Sequence, residues 1–401
     1  QSEAMSRPWS RREFPAIARW VDAHAEVLDE VHAACLRPKT YAPLIAGEDR
    51  PAVVQILLPH VQQLRAAARL LSARAMLRLS DGDIEGSWQD LTDLQRLARH
   101  SEQGFTLIEA LVGYAIRSIA LQPTAHWIAR CGLSPEELTA RRTVLNELTR
   151  TSSLARSMDC ERYMYLDTVI SLMSGAATPG ATMGLLESTS PNDGLDEETS
   201  ATLQQLRNAR DAVFQLLLLG SDVNETLRYG NGIYDDLVTA MQPESHAERR
   251  ARLREIDKVV AQNATYVQDT GALVKAYLFS SRQQLRELPA KALTGLLMPA
   301  VTAVETAQTK AETNRALLDA AMAVQIHFNR TGEIPLSISE LKSLDGSPLL
   351  DPFNGEPLRM EADARGLILY GVGINGRDDG GQTYREGEDH DDLRIILPLA
   401  P

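Results

Sequence analysis

Cysteine is scarce in this chain: three residues, Cys35, Cys131 and Cys160, are spread over 401 positions. That number and spacing exclude a disulfide framework and a cysteine zinc site, and each thiol reads as a small buried hydrophobe. Aromatic residues make up only 5% while alanine and leucine abound, a balance that favours helix over sheet. Positive charge is short as well. The net charge of −13 excludes a sequence-independent nucleic-acid binder, which needs a basic surface. Long apolar runs are missing too; the best, 212–219, is far too short to cross a membrane. Among the eight histidines no H-x-x-x-H or H-E-x-x-H spacing occurs, and no Walker loop or G-x-S-x-G elbow is present.

What is there is helical periodicity. From about Phe14 to Leu297 apolar residues recur at helix spacing, beginning with Phe14, Ile17, Trp20 and Val21. Pro51 is read as opening a helix through Val53, Val54, Leu57, Val61 and Leu64. Residues 73–100 resemble a tetratricopeptide-like helical hairpin, with a turn at Ser80-Asp81-Gly82-Asp83 where Asp83 is placed to cap the second helix. Ser134-Pro135-Glu136-Glu137 is a helix start: a cap, a proline in the first turn, then acid near the positive end of the helix dipole. Further helices are expected near 106–131, 134–149, 153–173, 201–219, 223–241 and 246–288. Residues 175–198, rich in Gly, Pro, Ser, Thr and Asp, read as a mobile loop or lid.

The last hundred residues change character. A long helix around 300–329 precedes a short helix at 336–344, then strands near 358–360, 367–371 and 393–397. Between the last two strands lies GVGINGRDDGGQTYREGEDHDD, residues 371–392, in which seven carboxylates face only Arg377 and Arg385. Such crowding of one sign is self-repulsive unless a cation neutralises it, and hard oxygen donors on a glycine-rich loop suit calcium rather than zinc. The alternative reading is a run of solvated turn residues, since Asp, Asn and Gly also form ordinary turns. An EF-hand is excluded because Arg377 would occupy a ligand position and strands, not helices, flank the loop.

Several short motifs appear here in one order: Thr331-Gly332-Glu333-Ile334-Pro335, Asp351-Pro352-Phe353-Asn354-Gly355-Glu356-Pro357-Leu358, Leu369-Tyr370-Gly371-Val372-Gly373, then the acidic loop closing on Asp391-Asp392. Over this last quarter the chain resembles the globular part of type II secretion major pseudopilins. The resemblance implies a calcium loop. Asp391 or Asp392 would supply the closing carboxylate, Asn375, Asp378 or Asp379 further side-chain oxygens, and residues such as Leu369 and Val372 backbone carbonyls. The apolar membrane half of a pilin helix is missing, and a helical domain precedes the module instead. In that layout the whole chain resembles uncharacterised bacterial envelope proteins of a type abundant in planctomycetes.

The expected architecture is therefore mainly α: an irregular helical bundle or short hairpin array at 14–292, followed by a small α+β module with a short antiparallel sheet at 293–401. Residues 1–13 are read as a flexible remnant that leaves room for a membrane anchor upstream. The expected role is a non-enzymatic binding or structural protein of the cell envelope with suspected Ca2+, its helical domain offering a groove to a protein or peptide partner. The alternatives are a hydrolase-like enzyme and a metal-free cytoplasmic helical scaffold. For the enzyme, Glu161 would be the general base with Arg162 clamping an anion, or Glu225, Arg228 and Asp235 would line a groove; ion pairing, around a tyrosine-rich contact for the first cluster and on a solvated face for the second, is the favoured reading of both.

Overall fold

The computed structural model describes residues 2–45, 53, 58–152, 154–177, 222–242, 245–268, 275, 281–298 and 301–398. Within them the protein is mainly helical with one small antiparallel sheet, as the composition predicts. The helices are α1 (Ser2–Ser6), α2 (Pro15–Ala23), α3 (Ala25–Cys35), α4 (Pro59–Ser80), α5 (Ile84–Glu102), α6 (Leu107–Arg130), α7 (Pro135–Leu148), α8 (Ala155–Met173), α9 (Val223–Ala240), α10 (His246–Gln268), α11 (Arg282–Leu297) and α12 (Val301–Thr331). A 3-10 turn at Ile338–Glu340 leads to strands β1 (Arg359–Asp363), β2 (Gly366–Gly371) and β3 (Leu393–Leu397).

Local signals set the helix ends. Asp83 accepts a hydrogen bond from the Gly86 N–H at 2.9 Å and so starts α5, while Gly82 ends the α4–α5 hairpin at φ +82°. Thr106 with Glu109, and Ser134 with Glu137, form reciprocal capping boxes on α6 and α7.

Two hydrophobic cores result. The first gathers Leu71, Met76, Leu91, Leu94, Trp127 and Leu138 with Leu317, Leu318, Met322, Leu369 and Ile395. The second gathers Tyr114, Met158, Tyr165, Tyr234, Leu237, Leu293 and Val304. Helices α6 and α12 pack together and serve both. Val304 and Ala311 of α12 lie in the second core, and its later residues from Leu317 to Ile326 lie in the first. Burial of this kind stabilises by about 2–5 kcal/mol for each large side chain that a truncation to alanine would remove.

The sheet runs in the order β1-β2-β3, with Leu369 paired to Met360 on one side and Ile395 on the other. The free edge of β3 is covered by α6. The Gln122 amide donates to the Ile396 carbonyl at 2.8 Å, and its oxygen accepts the Ile396 N–H at 3.1 Å, so one side chain substitutes for a missing strand.

Several expectations need correction. Residues 2–9 are not a flexible remnant: Ala4 and Trp9 are buried, Trp9 Nε1 donates to the Ala73 carbonyl, and the Ser72 hydroxyl donates to the Met5 carbonyl. The apolar Trp9 drives this packing. The helix expected from Pro51 begins at Pro59, with Val53 in a bend; most of 46–57 lies outside the described residues, as do 178–221, which include most of the expected loop and the 201–219 helix. Of the span 246–288 the described residues form α10 up to Gln268 and α11 from Arg282, with Lys275 also helical; the two helices approach closely because Gly295 meets the Ala264 backbone where a Cβ would lie only 2.3 Å from its nitrogen. The helix expected at 336–344 shrinks to the 3-10 turn. The expected division at residue 293 falls inside α11, and no core boundary coincides with it, since β2 and β3 share the first core with α4, α5 and α6.

Candidate metal centre

Residues 372–392 join β2 to β3, and the antiparallel pairing of Gly371 with Leu393 brings the two ends of this long connection side by side. Glycine permits the closest approach: a Cβ on Gly373 would lie 2.2 Å from the Asp391 carbonyl oxygen and 2.4 Å from its Oδ1. Across this contact the loop knits itself together through its acids. Asp379 Oδ2 accepts from Asn375 Nδ2 and from the Asp391 N–H, both at 3.1 Å. Asp392 Oδ2 accepts the N–H groups of Asp379 at 3.0 Å and Gly381 at 2.9 Å. Asp391 Oδ2 accepts the Asn375 N–H at 3.1 Å.

One carboxylate oxygen from each of Asp379, Asp391 and Asp392 lies within 4.8 Å of the other two. Asp392 is 1% exposed. Its Oδ1 and the Oδ1 of Asp391 are buried and have no hydrogen-bond partner. Unmet buried acceptors of this kind are rare, and on a carboxylate they are costly. Burial pushes the Asp392 carboxyl up to about 6, against the pull of its two N–H donors, with the charges of Asp379 and Asp378 pushing the same way. Asp379 moves the other way, chiefly through its bond from Asn375. Two of the other four acids are neutralised by arginines of the sheet. Asp378 meets Arg359 Nε at 2.9 Å, and Glu386 meets Arg394 at 2.5 Å, its pKa falling to about 2 through the Thr383 hydroxyl and then Arg394.

The seven residues named from the sequence thus separate. Asp379, Asp391 and Asp392 converge, and Asn375 organises them, its own Oδ1 accepting the Arg377 N–H at 2.6 Å. Asp378 is drawn to Arg359 instead. Leu369 lies mid-ladder in β2 rather than in the loop, and Val372 sits at its base with its N–H bound to Asp351 Oδ2 at 2.7 Å. Asp351 is a residue whose role the sequence did not disclose. It is fully buried, accepts the Phe353 N–H at 3.0 Å as well, and locks the Asp-Pro-Phe turn onto the start of the loop. Its place in that turn was the available signal. From the helical side, Arg250 of α10 donates to the Ile374 carbonyl at 3.3 Å, and the His246 ring meets Phe353 edge-on at 5.1 Å.

The three converging groups are all oxygen donors, a set suited to a hard cation and not to a metal that needs nitrogen or sulfur.

The expected enzymatic residues do not converge in this way. Glu161 is half-buried on α8 and pushed up to about 7 by burial, partly offset by the Leu107 N–H. Arg162 is engaged by Asp159 at 3.2 Å and Asp235 at 2.8 Å, so the anion clamp is occupied by carboxylates of the protein itself. Two clefts of about 680 and 590 Å³ open elsewhere, and neither is lined by Glu161 or Glu225. All three cysteines are buried and free. No described helix is long and apolar enough to cross a membrane.

Comparison with known proteins finds no family model that matches the sequence, no matching curated protein and no matching solved structure.

Proposed function

We propose that this chain is a binding or structural protein of the bacterial cell envelope whose C-terminal module is closed by one calcium ion. The reading is carried by a single observation: Asp391 Oδ1 and Asp392 Oδ1 are buried without partners beside Asp379. A divalent cation at that point would satisfy both oxygens and offset the repulsion among three carboxylates. The order of motifs shared with pseudopilins supports the same assignment. Binding would tie the two ends of the 372–392 connection together, so that the ion's binding free energy becomes folding free energy of the module. A three-carboxylate loop with exposed rims is a weak site, suited to the millimolar calcium found outside the cytoplasm. In this reading the helical part engages a protein or peptide partner.

The test is thermal unfolding in calcium, in magnesium and in chelator. Calcium at a hundredfold excess over Kd is expected to add about 2.7 kcal/mol, and the double variant Asp391→Ala, Asp392→Ala should lose the whole response. An unchanged melting temperature in millimolar calcium would reduce the loop to a solvated turn.

A further inference from the structure

The 680 Å³ cleft lies between α7, the middle of α12 and the 343–352 segment, away from the acidic loop. Its size is within the usual range for sites that hold a small ligand or a few residues of a peptide. Two guanidinium groups line it, Arg315 from α12 and Arg150 just beyond α7. Neither is in an ion pair among the described residues. Arg315 is half-buried, and its Nε and one terminal nitrogen share a single neutral acceptor, Asn146 Oδ1, the Nε bond measuring 3.0 Å. Two of its five donor hydrogens are thereby used on one oxygen.

Three carboxylates near Arg315 are committed to other donors. Asp319 is bound by Arg142 at 2.7 Å. Glu312 is bound by Arg249 at 3.0 Å and by Gln308 at 2.9 Å. Asp345 is held inside its own turn by the Ser343 hydroxyl and by the Ser347 N–H at 3.0 Å. Burial pushes the Arg315 guanidinium down against the opposing charge of Asp319, with Arg150 adding to the fall. Arg315 and Arg150 thus lie near one another, and among the described residues neither is in direct contact with a carboxylate, although Asp319, Glu312 and Asp345 act on Arg315 from further away.

The rest of the lining narrows the ligand. Glu147, Glu312, Asp319 and Asp345 also line the cleft, and their negative charge disfavours a doubly charged anion such as phosphate. Leu344 and Leu350, 38% and 41% exposed, also line the cleft and offer an apolar body a surface to lie on.

We infer that this cleft binds a monocarboxylate attached to an apolar group, with Arg315 as the bidentate carboxylate partner and Arg150 assisting, and that the natural source is the C-terminal end of a peptide. The assignment rests on the reading of the chain as a binding protein. It is independent of calcium.

The experiment is calorimetric titration of the full chain with N-acetyl-leucine, N-acetyl-leucinamide, hexanoate and inorganic phosphate, in calcium and again in chelator. N-acetyl-leucine should bind saturably, the amide at least tenfold more weakly, and hexanoate more weakly than the peptide-like acid. Arg315→Gln should abolish binding of the acid and Arg315→Lys should restore part of it. Arg150 is exposed, so Arg150→Gln keeps the test valid should Arg315→Gln fail to fold; it should weaken the acid several-fold and leave the amide unchanged. Equal binding of acid and amide, no binding of either, or indifference to both arginine variants would overturn the site. Tighter binding of phosphate would overturn the monocarboxylate, and hexanoate binding as tightly as N-acetyl-leucine would overturn the peptide end as its source. Because melting in calcium reports the acidic loop and this titration reports the cleft, either reading can fail without the other.

Discussion

The helical region and the acidic loop both bury carboxylates, but they neutralise them differently. In the helices each buried acid meets guanidinium or imidazole from a neighbouring helix. Asp90 of α5 takes Arg74 at 2.7 Å and Arg78 at 3.0 Å, both from α4. Asp93 takes His32 at 2.6 Å and Arg96 at 3.0 Å. Glu102 holds Arg117 in a pair that also engages Gln95 and the carbonyls of Leu148 and Arg150. In the loop, Asp391 and Asp392 have only backbone N–H partners, and each keeps one oxygen unmet. An internally compensated acid is a structural element; an uncompensated one needs a cation from solution. The contrast, rather than the number of acids, distinguishes a site from a buried salt bridge.

The sharpest way to break that comparison is to remove a helical partner. Arg117→Ala leaves Glu102 buried and unpaired, and should lower stability by about 3–5 kcal/mol in urea unfolding. Calcium should not restore it; a calcium-dependent rescue would show that the two regions are not separate. Next is Asp392→Asn, whose sign should reverse with the metal. In chelator it removes a destabilising buried charge and should leave stability equal or higher. In saturating calcium it should cost up to about 3 kcal/mol, the binding contribution it removes. The same sign in both conditions would contradict the cation reading.

Glu161 offers an intermediate case, a half-buried acid with one backbone donor and no ion pair among the described residues. Its carboxyl sits near 7 in the folded protein against an ordinary value of 4.5. The protonated form is therefore favoured by folding, so its contribution is fully present below about 4.5 and is lost as pH rises through 7. Glu161→Gln should flatten stability over that window and raise it at pH 8 by roughly 1–3 kcal/mol. A pH profile identical to that of the parent chain would show that Glu161 is solvated. The smallest effect belongs to Asp83, an exposed acid whose task is capping α5. Asp83→Ala should cost about 1 kcal/mol in chemical unfolding and be the same in calcium and chelator.

Much of the helical part was legible because it is encoded locally. Ser134-Pro135-Glu136-Glu137 announced α7, and Asp81-Gly82-Asp83 announced the α4–α5 turn, since a cap needs only residues within one turn of the helix. The three strands were readable from short apolar runs, and the acidic loop from charge density. The short 3-10 turn was overestimated because Leu336, a strong apolar signal for a helix, is 93% exposed. Residues 2–9 were misread because nothing local reveals that Trp9 finds the Ala73 carbonyl on α4.

Of the candidate site, the sequence determined the composition: which oxygen donors lie between β2 and β3, and that they outnumber nearby positive charge. Only the tertiary structure decided their assignment, because neutralising a carboxylate depends on distance in space rather than along the chain. Arg359 on β1 takes Asp378 out of the cluster and Arg394 on β3 takes Glu386, while Asp351 anchors the loop from a turn twenty-one residues upstream of Val372. Asp379, Asp391 and Asp392 remain because the pairing of β2 with β3 brings sequence-distant acids together, and among the described residues none of the three is in an ion pair.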